Sequence, residues 1–235
     1  MILVCEEVIV SISQKSNGHL SLGGMHRYFI KTPRFIPWIF SSYIWRLPAE
    51  ENAVYLTFDD GPHPTITPWV LEELKKYNAQ ATFFCIGKNV VQYPEVYKRI
   101  LAEGHAVGNH TFQHLHGWKT STEVYLQDVA KAADEIDTNL FRPPYGHISK
   151  KEANGIPFSL KRRDTQVIMW DVLSGDFDTT ISPQKCLLNV VQHTEAGSIV
   201  VFHDSEKASE NLFYALPRVL QLLSEKGSLL KKIII

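Results

Sequence analysis

The chain has 235 residues, 44% of them hydrophobic, which suffices for one sizeable core near the upper size limit of a single domain. Its formal net charge of −1 argues against partners that demand a concentrated positive surface, so neither nucleic acid nor an acidic membrane is an expected ligand. Cys5, Cys85 and Cys186 are odd in number and lack a CxxC spacing, which excludes a disulfide framework and a thiolate metal site.

Residues 1–50 read as an irregular lead-in that packs on a domain spanning 51–235. The first twelve residues begin apolar but carry Glu6 and Glu7, have no basic start and precede no small-residue cleavage pattern. No signal peptide is therefore read, which favours a cytoplasmic location. The aromatic run 35–45 follows Arg27, Lys31 and Arg34, is too short to cross a bilayer and is broken by Pro37. No transmembrane segment is expected; the run should cover the side or bottom of the core, with a membrane-surface or export role as the alternative.

From residue 54 onward, apolar runs at 54–58, 81–86, 105–108, 140–141, 167–170 and 198–202 predict buried strands. Helical patterns lie between them. Thr67-Pro68 and Ser182-Pro183 each suit an N-cap followed by proline, while Gly104 and Gly227 stand where a helix end wants a left-handed residue. Near-continuous apolar strands alternating with helices predict an α/β fold with a parallel sheet, whose strands' C-terminal ends should carry the chemistry.

Five segments supply that chemistry. Asp59 and Asp60 follow the first strand and precede Gly61-Pro62; a sharp turn can bring both carboxylates to one pocket, one to ligate a cation and the other to stay free, although a polar turn is the plainer reading. His110 and His114 stand four apart, which one helical turn would place on one face as a metal clamp, or which is surface decoration. His105 and His116 lie close by, His105 in a strand pattern that suits a core histidine. Together Asp60, His110 and His114 form a set of one carboxylate and two imidazoles that leaves a coordination position open for water.

Arg142 ends the fourth strand and could grip a carboxylate through a bidentate pair, lowering its pKa. Pro143 and Pro144 have no N–H, so that of Tyr145 is the next one able to face a developing oxyanion; a rigid loop with a surface arginine is the alternative. Asp171 and Asp176 follow the 167–170 run, and either could simply cap a turn. His203 emerges from the most apolar strand as a candidate general acid, which an aspartate on its other nitrogen would orient and keep protonated.

Taken in order, TFDDG at 57–61, HxxxH at 110–114, RPPY at 142–145 and the strand-then-His segment at 201–203 resemble the motifs of the NodB-homology polysaccharide deacetylases, carbohydrate esterase family four, over residues 54–227. The resemblance implies a distorted, incomplete (β/α) barrel of seven parallel strands, which the apolar run 233–235 could close. It implies removal of N- or O-acetyl groups from a chitooligosaccharide, peptidoglycan or related glycan. A divalent metal, zinc first, with cobalt or nickel possible, would be held by Asp60, His110 and His114. Asp59 would be the base, Arg142 its orienting partner, Tyr145 the oxyanion donor through its backbone and His203 the acid. Asp176 matches the acid that pairs with this histidine, with Asp171 as competitor, but Phe177 stands where the family usually has tryptophan. Two other readings remain: a non-catalytic carbohydrate binder of the same fold, and a non-haem iron oxygenase, which also uses two histidines and one carboxylate.

Overall fold

The structure, a computed structural model, describes residues 28–235. The apolar start, Cys5 and Arg27 lie outside the described residues. Among those described, Cys85 and Cys186 are free and buried.

The sheet is built on β1 (Ala53–Asp59), which is buried along almost its whole length because both its faces are covered. On one side follow β2 (Thr82–Cys85), β3 (Ala106–Asn109), β4 (Leu140–Phe141) and β5 (Gln166–Val167); on the other lie β7 (Ile199–His203) and then β6 (Val172–Leu173). All these pairings are parallel, and the seven strands form an open half-barrel. Helices Ile66–Lys75 (α2), Gly87–Gln92 (α3), Pro94–Ala102 (α4), Thr122–Ala133 (α5), Lys150–Ser159 (α6), Pro183–His193 (α7) and Ser209–Glu225 (α8) make the crossovers; a short helix, Phe35–Ile39 (α1), precedes them. Leu56, Phe58, Phe83, Val200 and Phe202 meet Val70, Leu74, Val190, Leu216 and Leu220 in the largest core.

Several local expectations shift. The 167–170 strand is reduced to Gln166–Val167, and beyond it the carbonyls of Ile168 and Met169 accept from Arg142. The 233–235 run forms no strand: the eighth strand, β8 (Leu229–Leu230), lies parallel to the start of β1, and only Ile233 is buried, with its N–H on Thr82 Oγ1 at 2.9 Å. Ser182 caps α7 through the Lys185 N–H, but Thr67 is not an N-cap, since Thr65 precedes α2 and the Thr67 hydroxyl points to Asp204. Gly104 and Gly227 both adopt positive φ, 85° and 69°.

β5 and β6 do not pair, and the segment before β1 fills the seam between them. Ile44 N donates to Val167 O and Met169 N to Ile44 O, while Leu173 N reaches Ile30 O and Thr32 N reaches Asp171 O. Tyr43 and Trp45 pack on Phe141 and Ile156 from the same segment. Its anchor is buried Asp171, whose Oδ2 lies 2.7 Å from Lys31 Nζ, 3.2 Å from Arg46 Nη1 and 2.6 Å from Ser198 Oγ. Trp38, within the 35–45 run, is 82% exposed and so does not cover the core. Among the described residues no helix is long and apolar enough to cross a membrane. Asp171→Ala removes charge-assisted hydrogen bonds from both ends of this latch and is expected to destabilise the fold by about 2 kcal/mol, read as a fall of several degrees in Tm.

Candidate active site

Asp171 apart, the predicted site residues lie in segments that follow the C-terminal ends of the parallel strands. Asp59 ends β1 and is 4% exposed. Arg142, just past β4, is fully buried, and its Nη1 sits 2.7 Å from both Asp59 Oδ1 and Thr57 Oγ1. The expected bidentate grip is absent. Nε and Nη2 instead donate to Ile168 O and Met169 O, each at 3.1 Å, and the guanidinium lies 3.9 Å over the Phe84 ring. The carbonyls at the seam thus consume the fork that a carboxylate would have taken, and leave one nitrogen to aim Asp59.

Asp60 turns the other way, at φ 80°, a left-handed conformation that swings its carboxylate out of the strand line. Its main chain is pinned by Asn89 Nδ2 on Asp60 O at 2.7 Å and by Gly61 N on Asp204 Oδ1 at 3.1 Å. Asp204 is buried, shares its second oxygen with the Thr67 hydroxyl, and burial raises its pKa to about 7. A methyl group at Gly61 would fall 2.1 Å from Asp204 Oδ2, so only glycine lets this buried acid approach the turn.

His110 and His114 meet Asp60, but not on a helix. Residues 110–114 form a loop with Thr111 at φ 63° and His114 at φ 60°. Asp128 on α5 holds that loop by accepting the N–H groups of Phe112 and Gln113 at 2.8 and 2.9 Å, and Asn109 Oδ1 accepts that of Thr111. The ligand atoms of Asp60, His110 and His114 lie within 4.8 Å of one another. His110 Nδ1 is 2.8 Å from Arg142 O, an acceptor only, so the proton sits on Nδ1 and the Nε2 lone pair faces Asp60. Burial drops the His110 pKa to about 4, which keeps this imidazole neutral. Asp60 Oδ1 is buried without a hydrogen-bond partner although His114 Nε2 stands 3.1 Å away. Burial alone would neutralise Asp60, but the imidazoles of His114, His203 and His110 outweigh it and hold its pKa well below the usual carboxylate range. One carboxylate oxygen converging with two imidazole nitrogens is a donor set that fits a divalent cation.

His203 ends β7 across the pocket. Its Nδ1 lies 2.7 Å from Asp176 Oδ1, and its backbone N–H donates to Asp176 Oδ2, also at 2.7 Å. Burial disfavours its charge, yet Asp176, with help from Asp60 and Asp59, raises its pKa to about 9. Asp171 is turned away to Lys31 and Arg46, so of the two aspartates it is Asp176 that meets this ring. Phe177 stands edge-on to His203, ring centres 5.1 Å apart. Tyr145 sits in a tight turn at φ 60°, closed by bonds from Gly146 N and His147 N, with its ring 4.7 Å from His114. His105 is a core histidine, accepting Ala81 N–H at 3.2 Å.

Sequence reasoning missed Thr57, Thr67, Asp128 and Asp204. Asp204 had a signal in directly following His203 at a strand end; Asp128 had none, since on α5 it is one charge among several. Because the folded-state pKa of His203 is raised, its charge stabilises the protein fully below about 6.5 and that contribution is lost as pH climbs through about 9. In metal-free Asp176→Asn, NMR titration should find the His203 pKa lowered by roughly two units.

The family profile described as polysaccharide deacetylase matches residues 46–156. A peptidoglycan-N-acetylglucosamine deacetylase of Bacillus cereus is 34% identical over 189 residues, 78% of this chain and 87% of that relative. The crystal structure of a peptidoglycan N-acetylglucosamine deacetylase, in complex with 4-naphthalen-1-yl-N-oxidanyl-benzamide, superposes with a TM-score of 0.76 at 28% identity, covering 86% of this chain and 95% of that one. A CE4 family pseudoenzyme from Bacillus anthracis superposes with a TM-score of 0.69 at 27% identity, over 81% of this chain and 66% of its own.

Proposed function

Because the chain belongs to the polysaccharide deacetylase family, we propose that it is a metal-dependent hydrolase that removes acetyl groups from a carbohydrate, with N-acetylated hexosamines of a peptidoglycan-type or chitin-type glycan as the first substrates to try. The observation that carries this reading is the pairing of a cation-binding triad, Asp60, His110 and His114, with a separate carboxylate, Asp59, that Arg142 holds beside it.

A cation bound there, zinc first and cobalt or nickel as alternatives, would polarise an acetyl carbonyl and bring the pKa of a coordinated water down to about 7. The rest falls to the chain's own groups. Asp59 accepts the proton of the attacking water; fixed through one oxygen by Arg142 and almost wholly buried, it is held in a single orientation. The Tyr145 N–H, the first after two prolines, stands ready for the oxyanion of the tetrahedral carbon. His203, charged at neutral pH through Asp176, gives its Nε2 proton to the departing amine. A positioned base, Asp59, and a charged acid, His203, suit hydrolysis better than the oxygenase reading, for which neither has a task.

The pseudoenzyme among the neighbours makes a non-catalytic glycan binder the second reading. Acetate release from acetylated oligosaccharides, with and without chelator and after restoring zinc, cobalt or nickel, separates all three. The proposal expects release that chelation stops, that a metal restores and that proceeds without oxygen; binding with no acetate, or a requirement for oxygen, overturns it. Asp60→Ala and His110→Ala should lose both metal and activity. Asp59→Asn should keep the metal by elemental analysis and lose turnover by at least about a thousandfold, in keeping with loss of a positioned base.

A further inference from the structure

A row of rings leads outward from the cation triad. Tyr145 stands 4.7 Å from His114; His116 lies nearly parallel to Tyr145, 5.1 Å away, and 4.5 Å from His147; Trp118 stacks on His147 at 4.0 Å and 18°. The row is rigid. His147 Nδ1 and His116 Nε2 are 2.8 Å apart, and Gly117 approaches so closely that a methyl group there would meet His147 O at 2.3 Å. Yet its two large rings face solvent, Trp118 at 44% and Tyr145 at 58% exposure.

We propose that Trp118, backed by His147 and continuous with His116 and Tyr145, is a subsite that stacks a second sugar ring of the same glycan chain whose acetyl group is presented to the triad. This rests on the deacetylase reading. One face of the indole is occupied by His147, which leaves the other as a flat apolar surface held without flexible support. A β-linked pyranose offers a matching face of C–H groups while its hydroxyls stay at the wet rim. Rigid aromatic side chains give such contact area at little entropic cost. A large exposed ring on a built support, one short step from a reaction pocket, is a recognition surface rather than a stray core residue.

The test is calorimetric titration of the zinc-loaded Asp59→Asn protein, which prevents turnover, with N-acetylglucosamine and with its β-1,4-linked tetramer. The tetramer should bind more tightly than the monosaccharide; Trp118→Ala should weaken the tetramer about tenfold and leave the monosaccharide unchanged, whereas Trp118→Phe should retain most of the tetramer affinity. No tetramer binding, a tetramer affinity indifferent to Trp118→Ala, or equal losses for both sugars would overturn the subsite. Acetate release by the unsubstituted protein reports on the underlying reading alone. Trp118-dependent tetramer binding without acetate overturns the deacetylase and keeps the subsite, and acetate release with Trp118-independent affinity does the reverse.

Discussion

A guanidinium with no exposure to water must find a partner for its charge and for nearly every N–H, and the fold is arranged around that requirement at Arg142. One nitrogen takes Asp59 and Thr57, two others take carbonyls at the seam, and the face of Phe84 covers the plane. The carbonyls are available because β5 stops after two residues, and it can stop because the segment around Ile44 supplies the pairing that a longer β5 would have had. Even the backbone of Arg142 participates, since its carbonyl fixes the tautomer of His110. Removing a partner from a buried ion of this kind costs several kcal/mol, which makes the arrangement intolerant of slack and gives Asp59 one orientation.

The same pocket holds two imidazoles in opposite protonation states, and the partner of Nδ1 decides each. His110 faces a carbonyl, which accepts one proton and offers no charge, so burial wins and the ring is neutral. His203 faces a buried carboxylate, so the charge of Asp176 outweighs burial and the ring is cationic. Neutral imidazole is what a cation needs as a ligand and imidazolium is what a leaving group needs as an acid. On the proposed deacetylase reading, environment would thus divide identical side chains between two tasks.

The long strands β1 and β7 were legible because residues buried on both faces leave an unbroken apolar run. β6 and β8 were not: two residues show no period, and Val172–Leu173 sits inside an Asp-rich stretch that reads as a turn. The positions of Asp60, His110 and His114 were readable from residue type and motif order, but the route to convergence was not. Four-residue spacing suggested a helix, and the chain uses left-handed loop residues held by Asp128 instead. Asp171 and Asp176 look alike in sequence, and only the tertiary fold sends one to the lead-in cations and the other to His203. Asp204 was likewise invisible in its role, since pinning the Gly61 turn depends on two segments over a hundred residues apart.

X-ray absorption on the zinc-loaded protein tests the central claim most directly. One zinc per chain with two imidazole nitrogens at about 2.0 Å, one carboxylate oxygen and a light-atom ligand from solvent is the expected first shell, unchanged in Asp59→Asn and lost in His110→Ala. A shell without two imidazoles, or one that persists after His110 is removed, would contradict it.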